Sequence, residues 1–227
     1  MLDNVACILT DIEGTTTSVS FVYDTLFPYF KNRIWDILEI EDNRIKSAFE
    51  EIRSIVNEEE NIELGTNEEI VAKILEWCEK DRKITPLKTL QGILWKKGYE
   101  DGTLLGHVYE DVPLALEKWK GQGLKLAVFS SGSVEAQKLI FGYSKKGNLV
   151  NYFTDFFDTK TGMKRDKETY SKIASILHIL PSKILFLSDI AEELEAACEA
   201  GYQTLQLTRP GTDKAWKNSV NDFLQIT

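Results

Sequence analysis

The chain has 227 residues, of which 43% are hydrophobic and 28% charged, a composition typical of a globular protein. That length suits one domain with an insertion, or two modest domains. The formal net charge is −9 and no block of Lys or Arg stands out, which argues against nucleic-acid binding through a basic face. No apolar run approaches the ~18 residues that a membrane span needs, so no membrane partner is expected.

The N-terminal segment, MLDNVACILT, carries acids in place of the basic region of a signal peptide and continues into a strand-like pattern. A cytoplasmic location is therefore expected, and a nuclear one is left open. Cys7, Cys78 and Cys198 are far apart and form no C-x-x-C pair, which predicts buried free thiols. Because His107 and His178 are the only histidines, a multi-histidine metal site or a Ser-His-Asp triad is hard to assemble.

Five short runs predict β-strands. In chain order they are VACILT (5 to 10), LKLAVFS (124 to 130), FTDFFD (153 to 158), KILFLSD (183 to 189) and QTLQLT (203 to 208). The second and fourth are nearly continuous apolar runs, as in strands covered on both faces of a parallel sheet. Helical patterns alternate with them, namely VEAQKLIFGY, KETYSKIASILH and AEELEAACEA. The alternation predicts an α/β fold with a doubly wound, Rossmann-like parallel sheet.

Residues 19–111 interrupt this alternation. They show no convincing strand but contain at least four amphipathic helical patterns, YDTLFPYFKNRIWDIL, NRIKSAFEEIRSIV, NEEIVAKILEWCEK and PLKTLQGILWKK. A crossover between parallel strands normally needs one helix. We therefore predict a separate helical domain over 19–111, inserted into an α/β core formed by 1–18 and 112–227. His107, where the insertion returns, is predicted to have a hinge or packing role.

Polar side chains follow the predicted strands at the edge where ligands bind in open α/β sheets. They are Asp11 and Glu13 after the first strand, Ser130 and Ser131 after the second, the loop TKTGMKRD after the third, and Asp189, Glu192 and Glu193 after the fourth. Taken singly, Asp11, Asp189 or either serine could instead be a helix cap. Phosphoryl transfer uses all of them together, since carboxylates hold Mg²⁺ or attack phosphorus while a hydroxyl and an ammonium hold phosphate oxygens.

The series D-x-(D/E)-G-T after a strand, Ser after a later strand, Lys, and an acid-tipped strand resembles the motifs of the haloacid dehalogenase (HAD) superfamily. The helical insertion resembles that superfamily's cap. The similarity narrows to the enolase-phosphatase (acireductone synthase) family of methionine salvage and runs almost end to end. It rests on DIEGTTTS, LQGILWKKGYEDGTLLGHVYEDV, FSSGSVEAQKLIFGYSKKGNL, FFDTKTGMKRDKETYSKIA and ILFLSDIAEELEAACEAG.

The resemblance implies a role for each motif residue. Asp11 would form an aspartyl-phosphate. Glu13 stands where most HAD phosphatases have Asp, so it is either the general acid and base or a residue linked to Mg²⁺ binding. Glu193 is expected behind the metal site. The implied binding residues are Ser130, Ser131 and Lys164 for the phosphate, with Asp11, Glu13 and Asp189 for one Mg²⁺ per subunit.

The family's substrate, 2,3-diketo-5-methylthiopentyl-1-phosphate, is first enolised and then dephosphorylated to the acireductone. The resemblance thus implies a phosphoric monoester hydrolase, with Glu13 a candidate enolisation base by proximity alone. Two alternatives stay open. One is a HAD phosphatase or phosphomutase acting on another small phosphate ester. The other is a non-catalytic binding protein, against which the complete set of Asp11, Glu13, Lys164 and Asp189 argues. A monomer is expected.

Overall fold

The β-strands form where buried apolar runs occur. The computed structural model describes residues 2–80, 82 and 84–227. Its strands are β1 (Cys7–Thr10), β2 (Lys125–Phe129), β3 (Asp155–Phe157), β4 (Ile184–Ser188), β5 (Gln203–Leu207) and β6 (Ser219–Val220). The first five lie inside the five predicted runs. β6 was not predicted, because its two residues carry no periodic pattern and are fixed by pairing with β5.

The strands form one six-stranded sheet in the order β3-β2-β1-β4-β5-β6, and every neighbouring pair is parallel. The chain fills one side of β1 with β2 and β3 and then crosses to the other side for β4 to β6. The strand order therefore reverses between β1 and β4, where Thr10 pairs with Leu187. Doubly wound sheets bind ligands in the crevice at such a reversal. The predicted α/β, Rossmann-like architecture is confirmed.

The α-helices in the described residues flank the sheet and, with a π-helix (Val22–Leu26) and a 3₁₀ helix (Ile34–Glu39), make up the insertion. They are α1 (Val19–Phe21), α2 (Phe27–Arg33), α3 (Asn43–Glu60), α4 (Asn67–Glu79), α5 (Thr85–Glu100), α6 (Asp111–Gly121), α7 (Val134–Gly142), α8 (Lys167–Leu177) and α9 (Ala191–Glu199). Helix α6 was not predicted, although Val112, Leu116 and Trp119 recur at helical spacing and are buried. None of these helices is long and apolar enough to cross a membrane.

The chain divides into two compact units, and the first, Met1–Val22 with Leu105–Thr227, contains the sheet. All four residues of β1 are buried. Leu9 and Phe186 of neighbouring strands pack with Tyr170 of α8 in one continuous apolar cluster. Fully burying such a side chain contributes about 1.5–3 kcal/mol. The strand that carries Asp11 is therefore held by packing on its faces and by a hydrogen-bonded strand on each side.

The second unit, Tyr23–Leu104, has an apolar core of its own. The buried side chains of that core include Phe30, Ile52, Ile74, Trp77 and Leu90. Helix α4 begins with a capping box, in which the Thr66 hydroxyl accepts the Glu69 N–H while the Glu69 carboxylate accepts the Thr66 N–H. All four helical patterns predicted within the insertion are helical in this unit, and the described residues of the unit contain no strand.

The three cysteines differ in exposure. Cys7 is buried in β1 and Cys78 is half-buried in α4, but Cys198 is exposed. The prediction of a buried thiol is therefore wrong for Cys198. The reason is its place in the last turn of α9, where it follows the buried Ala196 and Ala197.

Candidate active site

Asp11 follows β1 at the centre of the sheet edge. Its N–H donates to the Leu187 carbonyl oxygen at 2.9 Å, so the ladder between β1 and β4 continues through the Asp11 backbone. The residue is 4% exposed. Its Oδ1 atom lies 2.7 Å from the Lys164 Nζ. Asp11 is thus a buried carboxylate with a fixed backbone and a cation against one oxygen.

The loop from Ile12 to Thr17, which we call the Ile12–Thr17 loop, turns sharply behind Asp11. The Ile12 carbonyl oxygen accepts the N–H groups of all three threonines, at 3.2, 2.9 and 2.9 Å in chain order. Gly14 has a left-handed φ of +71°, and an added Cβ would lie 2.2 Å from the Asp189 Oδ2. Glycine is required here both for its conformation and for the approach of that carboxylate. Half-buried Glu13 pairs with Thr17 in an isolated β-bridge.

Lys164 lies buried between two carboxylates. Its Nζ is 2.7 Å from the Asp11 Oδ1 and 2.7 Å from the Glu193 Oε2. Burial by itself would lower the pKa of Lys164, but the charges and hydrogen bonds of the two carboxylates outweigh it and raise that pKa. Burial and the Asp11 charge raise the pKa of Glu193. Glu193, predicted only as a residue behind the metal site, directly contacts Lys164 and accepts a hydrogen bond from the Ser188 hydroxyl at 2.8 Å.

Asp189 follows β4, the strand beside β1 at the reversal of strand order. Its Oδ1 atom is buried and, within the described part of the chain, has no hydrogen-bond partner. Burial, followed by the nearby charge of Asp11, raises the pKa of Asp189 to about 7. An unpartnered carboxylate oxygen close to a second carboxylate is a site that a cation would stabilise.

Mg²⁺ is commonly bound by one or two protein carboxylates together with waters and substrate phosphate. Asp11 and Asp189 supply such a pair and therefore fit this ion. No group of three or more His, Cys, Asp or Glu among the described residues is placed to hold a metal. Glu13 as a third ligand therefore stays a prediction.

The two predicted phosphate-binding serines follow β2. Ser130 is 4% exposed, and its hydroxyl accepts the Gly132 N–H at 3.2 Å. Ser131 is exposed. Helix α7 is capped instead by Ser133, whose hydroxyl accepts the Ala136 N–H. The alternative that Ser130 or Ser131 caps this helix is therefore wrong.

Two buried glutamines, neither predicted from the sequence, hold the loops of this site. Gln137 of α7 donates from its Nε2 to the carbonyl oxygens of Gly132 and Phe157, both at 2.8 Å. Gln206 of β5 donates to the Asp189 carbonyl oxygen at 2.9 Å and to the Asp213 carbonyl oxygen at 3.0 Å. In the sequence, each glutamine is an amide side chain within a helix or strand pattern. Such a residue does not reveal its distant hydrogen-bond partners.

A cavity of about 530 Å³ lies beside Asp189, with Gly14, Ser18, Tyr109 and Arg209 among its lining residues. Its volume lies in the range of small-molecule sites. A second cavity, of about 620 Å³, is lined by residues of β5 and the following loop, Lys214 and Lys217 among them.

Comparison with known proteins identifies the family of the chain. The sequence model of the haloacid dehalogenase-like hydrolases matches residues 5–201. Enolase-phosphatase E1 of Picosynechococcus sp. is 47% identical, with 97% of each chain covered, and that of Pseudomonas aeruginosa is 45% identical, with 98% of each covered. The crystal structure of the UTR4 protein of Saccharomyces cerevisiae has a TM-score of 0.80 at 33% identity, covering 96% of this chain and 98% of its own. A dehalogenase with a TM-score of 0.59 at 18% identity shares the fold, with 99% of this chain and 96% of its own covered. The chain therefore belongs to the haloacid dehalogenase-like hydrolases and, among them, to the enolase-phosphatase E1 family.

Proposed function

We propose that the protein is an Mg²⁺-dependent enolase-phosphatase of methionine salvage. It converts 2,3-diketo-5-methylthiopentyl-1-phosphate to the acireductone 1,2-dihydroxy-3-keto-5-methylthiopentene and phosphate. The observation that carries the chemistry is the buried Lys164 ammonium, held between Asp11 and Glu193. The charges of Asp11 and Lys164 act on Asp189, whose Oδ1 has no hydrogen-bond partner among the described residues. The near-full-length similarity to enolase-phosphatase E1 proteins supports the substrate.

In the phosphatase step we assign attack on phosphorus to the Asp11 Oδ2, because Lys164 contacts Oδ1. The bond from phosphorus to the substrate's ester oxygen breaks, and Glu13 gives that oxygen a proton. Water then attacks the aspartyl-phosphate and loses a proton to Glu13, and phosphate leaves as the Asp11 carboxylate is restored. An ammonium has three donors, and two of those on Lys164 point to carboxylates. The third, with Ser130 and Ser131, would hold phosphate oxygens.

We propose that Asp11 and Asp189 hold the Mg²⁺, one per subunit. Glu13 as a third ligand is the alternative to its acid and base role, since a carboxylate bound to the ion does not carry the proton that the ester oxygen needs. When bound, the ion neutralises phosphate charge and acts as a Lewis acid toward a carbonyl oxygen. The residues of this chain supply the fixed carboxylates. Gly14 lets Asp189 approach the Ile12–Thr17 loop, and Gln206 holds the Asp189 backbone.

The domain organisation is also part of the proposal. Residues 19–111 would act as the cap and 1–18 with 112–227 as the catalytic core, which is supported by the separate apolar core of Tyr23–Leu104.

We propose a monomer in the cytoplasm with a small phosphate ester as its partner, and the net charge of −9 supports a phosphate ester over a nucleic acid. Light scattering coupled to gel filtration would measure the mass.

The test follows the diketone phosphate with Mg²⁺ under anaerobic conditions, by ³¹P NMR and ultraviolet absorbance, for the wild type and Asp11→Asn. Wild type should release phosphate and form the enol chromophore, and the variant should release none. Enol formation by the variant would show that enolisation does not need the nucleophile. No reaction with the diketone, together with turnover of another small phosphate ester, would refute the assigned substrate while leaving the phosphatase chemistry intact.

A further inference from the structure

Arg209, in the loop after β5, is a buried cation outside the predicted catalytic set. It is 5% exposed. Its Nη1 and Nη2 donate to the two Asp111 carboxylate oxygens at 2.9 and 2.8 Å, a bidentate pair. The Nε donates to the Thr15 carbonyl oxygen at 3.0 Å, and Nη1 also donates to the Asn221 carbonyl oxygen at 3.2 Å. The guanidinium lies 4.2 Å from the centroid of the Tyr109 ring.

A buried ion pair is weak evidence for a stabilising role, because desolvation offsets much of the attraction and apolar replacements often fold as well. An apolar side chain at this position could fill the space beside Tyr109. It could not donate a hydrogen bond to Thr15, which lies in the Ile12–Thr17 loop directly behind Asp11. The bond from Nε to Thr15 is therefore the contact that points to a role beyond packing.

The same loop is held from outside by the segment His107–Asp111. The Tyr109 N–H donates to the Thr16 carbonyl oxygen at 3.0 Å. The Thr17 hydroxyl lies 2.9 Å from the His107 Nδ1, which also accepts the Ser18 N–H at 3.2 Å. His107, predicted to have a hinge or packing role, packs against the rings of Phe21 and Tyr109 and also makes these hydrogen bonds. Arg209 joins this segment to the loop, because one guanidinium contacts both Asp111 and Thr15.

We propose that Arg209 is a positioning residue for the phosphatase reaction. Paired with Asp111, it fixes the Thr15 carbonyl and so sets where the Ile12–Thr17 loop places Glu13 and the Gly14 backbone that packs on Asp189. It touches no reacting atom in this role. The inference rests on the proposed function for its activity readout, and the loop restraint itself can be measured without substrate.

The experiment compares Arg209→Met and Arg209→Lys with a control, Leu177→Val. Leu177 is buried at the C-terminal end of α8. This helix runs back from the ends of the strands that carry Asp11 and Asp189 to the opposite ends. Three quantities are measured well below the lowest unfolding midpoint: kcat, KM, and hydrogen exchange of peptides covering residues 11–18. Arg209→Met should lower kcat by about 10–100-fold, the loss expected from a misplacement near 1 Å, with KM changed less than about threefold. Hydrogen exchange in residues 12–18 of Arg209→Met should be faster than in the wild type. The control should change neither kcat nor this exchange.

The kcat and the loop exchange rate of Arg209→Lys should lie between those of the wild type and Arg209→Met. An ammonium can pair with Asp111 but lacks the planar fork that also reaches Thr15. Wild-type kcat in both Arg209 variants would overturn the inference, as would a lower kcat without faster exchange in the loop, which would indicate a direct contact with substrate. If Arg209→Met does not fold, Arg209→Lys decides. Failure of that variant to fold would make the role structural and overturn the inference too. A wild-type protein that releases no phosphate would refute the proposed function, while the exchange comparison would still test the restraint.

Discussion

Replacing Gly14 by alanine would put a methyl group where the Asp189 carboxylate already lies. The added Cβ would be 2.2 Å from the Asp189 Oδ2 and 2.5 Å from its Cγ, whereas ordinary contact begins at 3.4 Å. Either the carboxylate or the Ile12–Thr17 loop must therefore move by roughly 1 Å to restore normal packing distances. Gly14 also has a φ of +71°, so alanine would bear left-handed backbone strain as well.

Gly123 provides the matched control for this substitution. Its φ is +79° and nothing lies within 4 Å of an added Cβ, so Gly123→Ala bears the strain without the collision. The strain costs about 1–2 kcal/mol at either position. Any gain from a less flexible unfolded chain is also common to both. The collision at Gly14 should add about 1–3 kcal/mol, the usual range for overpacking. The free energy of unfolding of Gly14→Ala should therefore be lower than that of Gly123→Ala by this amount, as measured by urea denaturation.

Activity should separate the two variants further. A displacement near 1 Å of a group at the reaction centre costs about 100-fold in rate, so Mg²⁺-dependent phosphate release by Gly14→Ala should fall by this factor. Gly123→Ala should keep the wild-type rate. Equal stability of the two variants, together with wild-type activity of Gly14→Ala, would refute the placement of Asp189 against the loop.

The remaining predictions concern the buried cation, the metal and the thiols. Lys164→Met leaves two buried carboxylates without their shared partner, so phosphate release should vanish and the free energy of unfolding should fall by about 3 kcal/mol. An unchanged free energy of unfolding in urea denaturation would contradict this. Mg²⁺ should raise the unfolding midpoint of the wild type but not of Asp189→Asn, and EDTA should stop turnover; an equal rise in the variant would exclude Asp189 as a ligand. Cys198 should be the fast-reacting thiol of the native protein, since burial raises the pKa of Cys7 to about 12 and that of Cys78 to about 11. Fast labelling that persists in Cys198→Ser would contradict this.

The sheet could be predicted from the sequence because its strands are local features. Five apolar runs contain the observed β1 to β5, and the helices α7, α8 and α9 coincide with predicted patterns to within about one residue. Helix α6 was missed although its apolar stripe was visible. Strand β6, Ser219–Val220, could not be predicted, because it is a strand only through its pairing with β5 and the adjacent hydrogen bond from the Thr208 N–H to the Val220 carbonyl oxygen.

Most of the candidate site was predictable because its residues sit at strand ends, whereas Lys164, in the loop between β3 and α8, was predicted only through the motif resemblance. Asp11 and Asp189 follow β1 and β4 directly, so the parallel topology alone brings them together. Arg209 contacts Thr15 and Asp111, which precede it in the chain by 194 and 98 positions. A single arginine in a loop carries no signal of such distant partners. The contact of Glu193 with Lys164 likewise depends on the fold of a loop rather than on spacing in the sequence.

The central position of β1 has a consequence for how the protein would lose activity. Amides of strands with hydrogen-bonded neighbours on both sides become exposed to exchange mainly when the whole domain unfolds, whereas edge strands and loops open more readily. The Asp11 N–H extends the ladder to β4, so the proposed nucleophile belongs to the most cooperative part of the sheet. Partial opening of the β6 edge would leave Asp11 in place. Displacement of Asp11 itself should therefore coincide with global unfolding instead of preceding it.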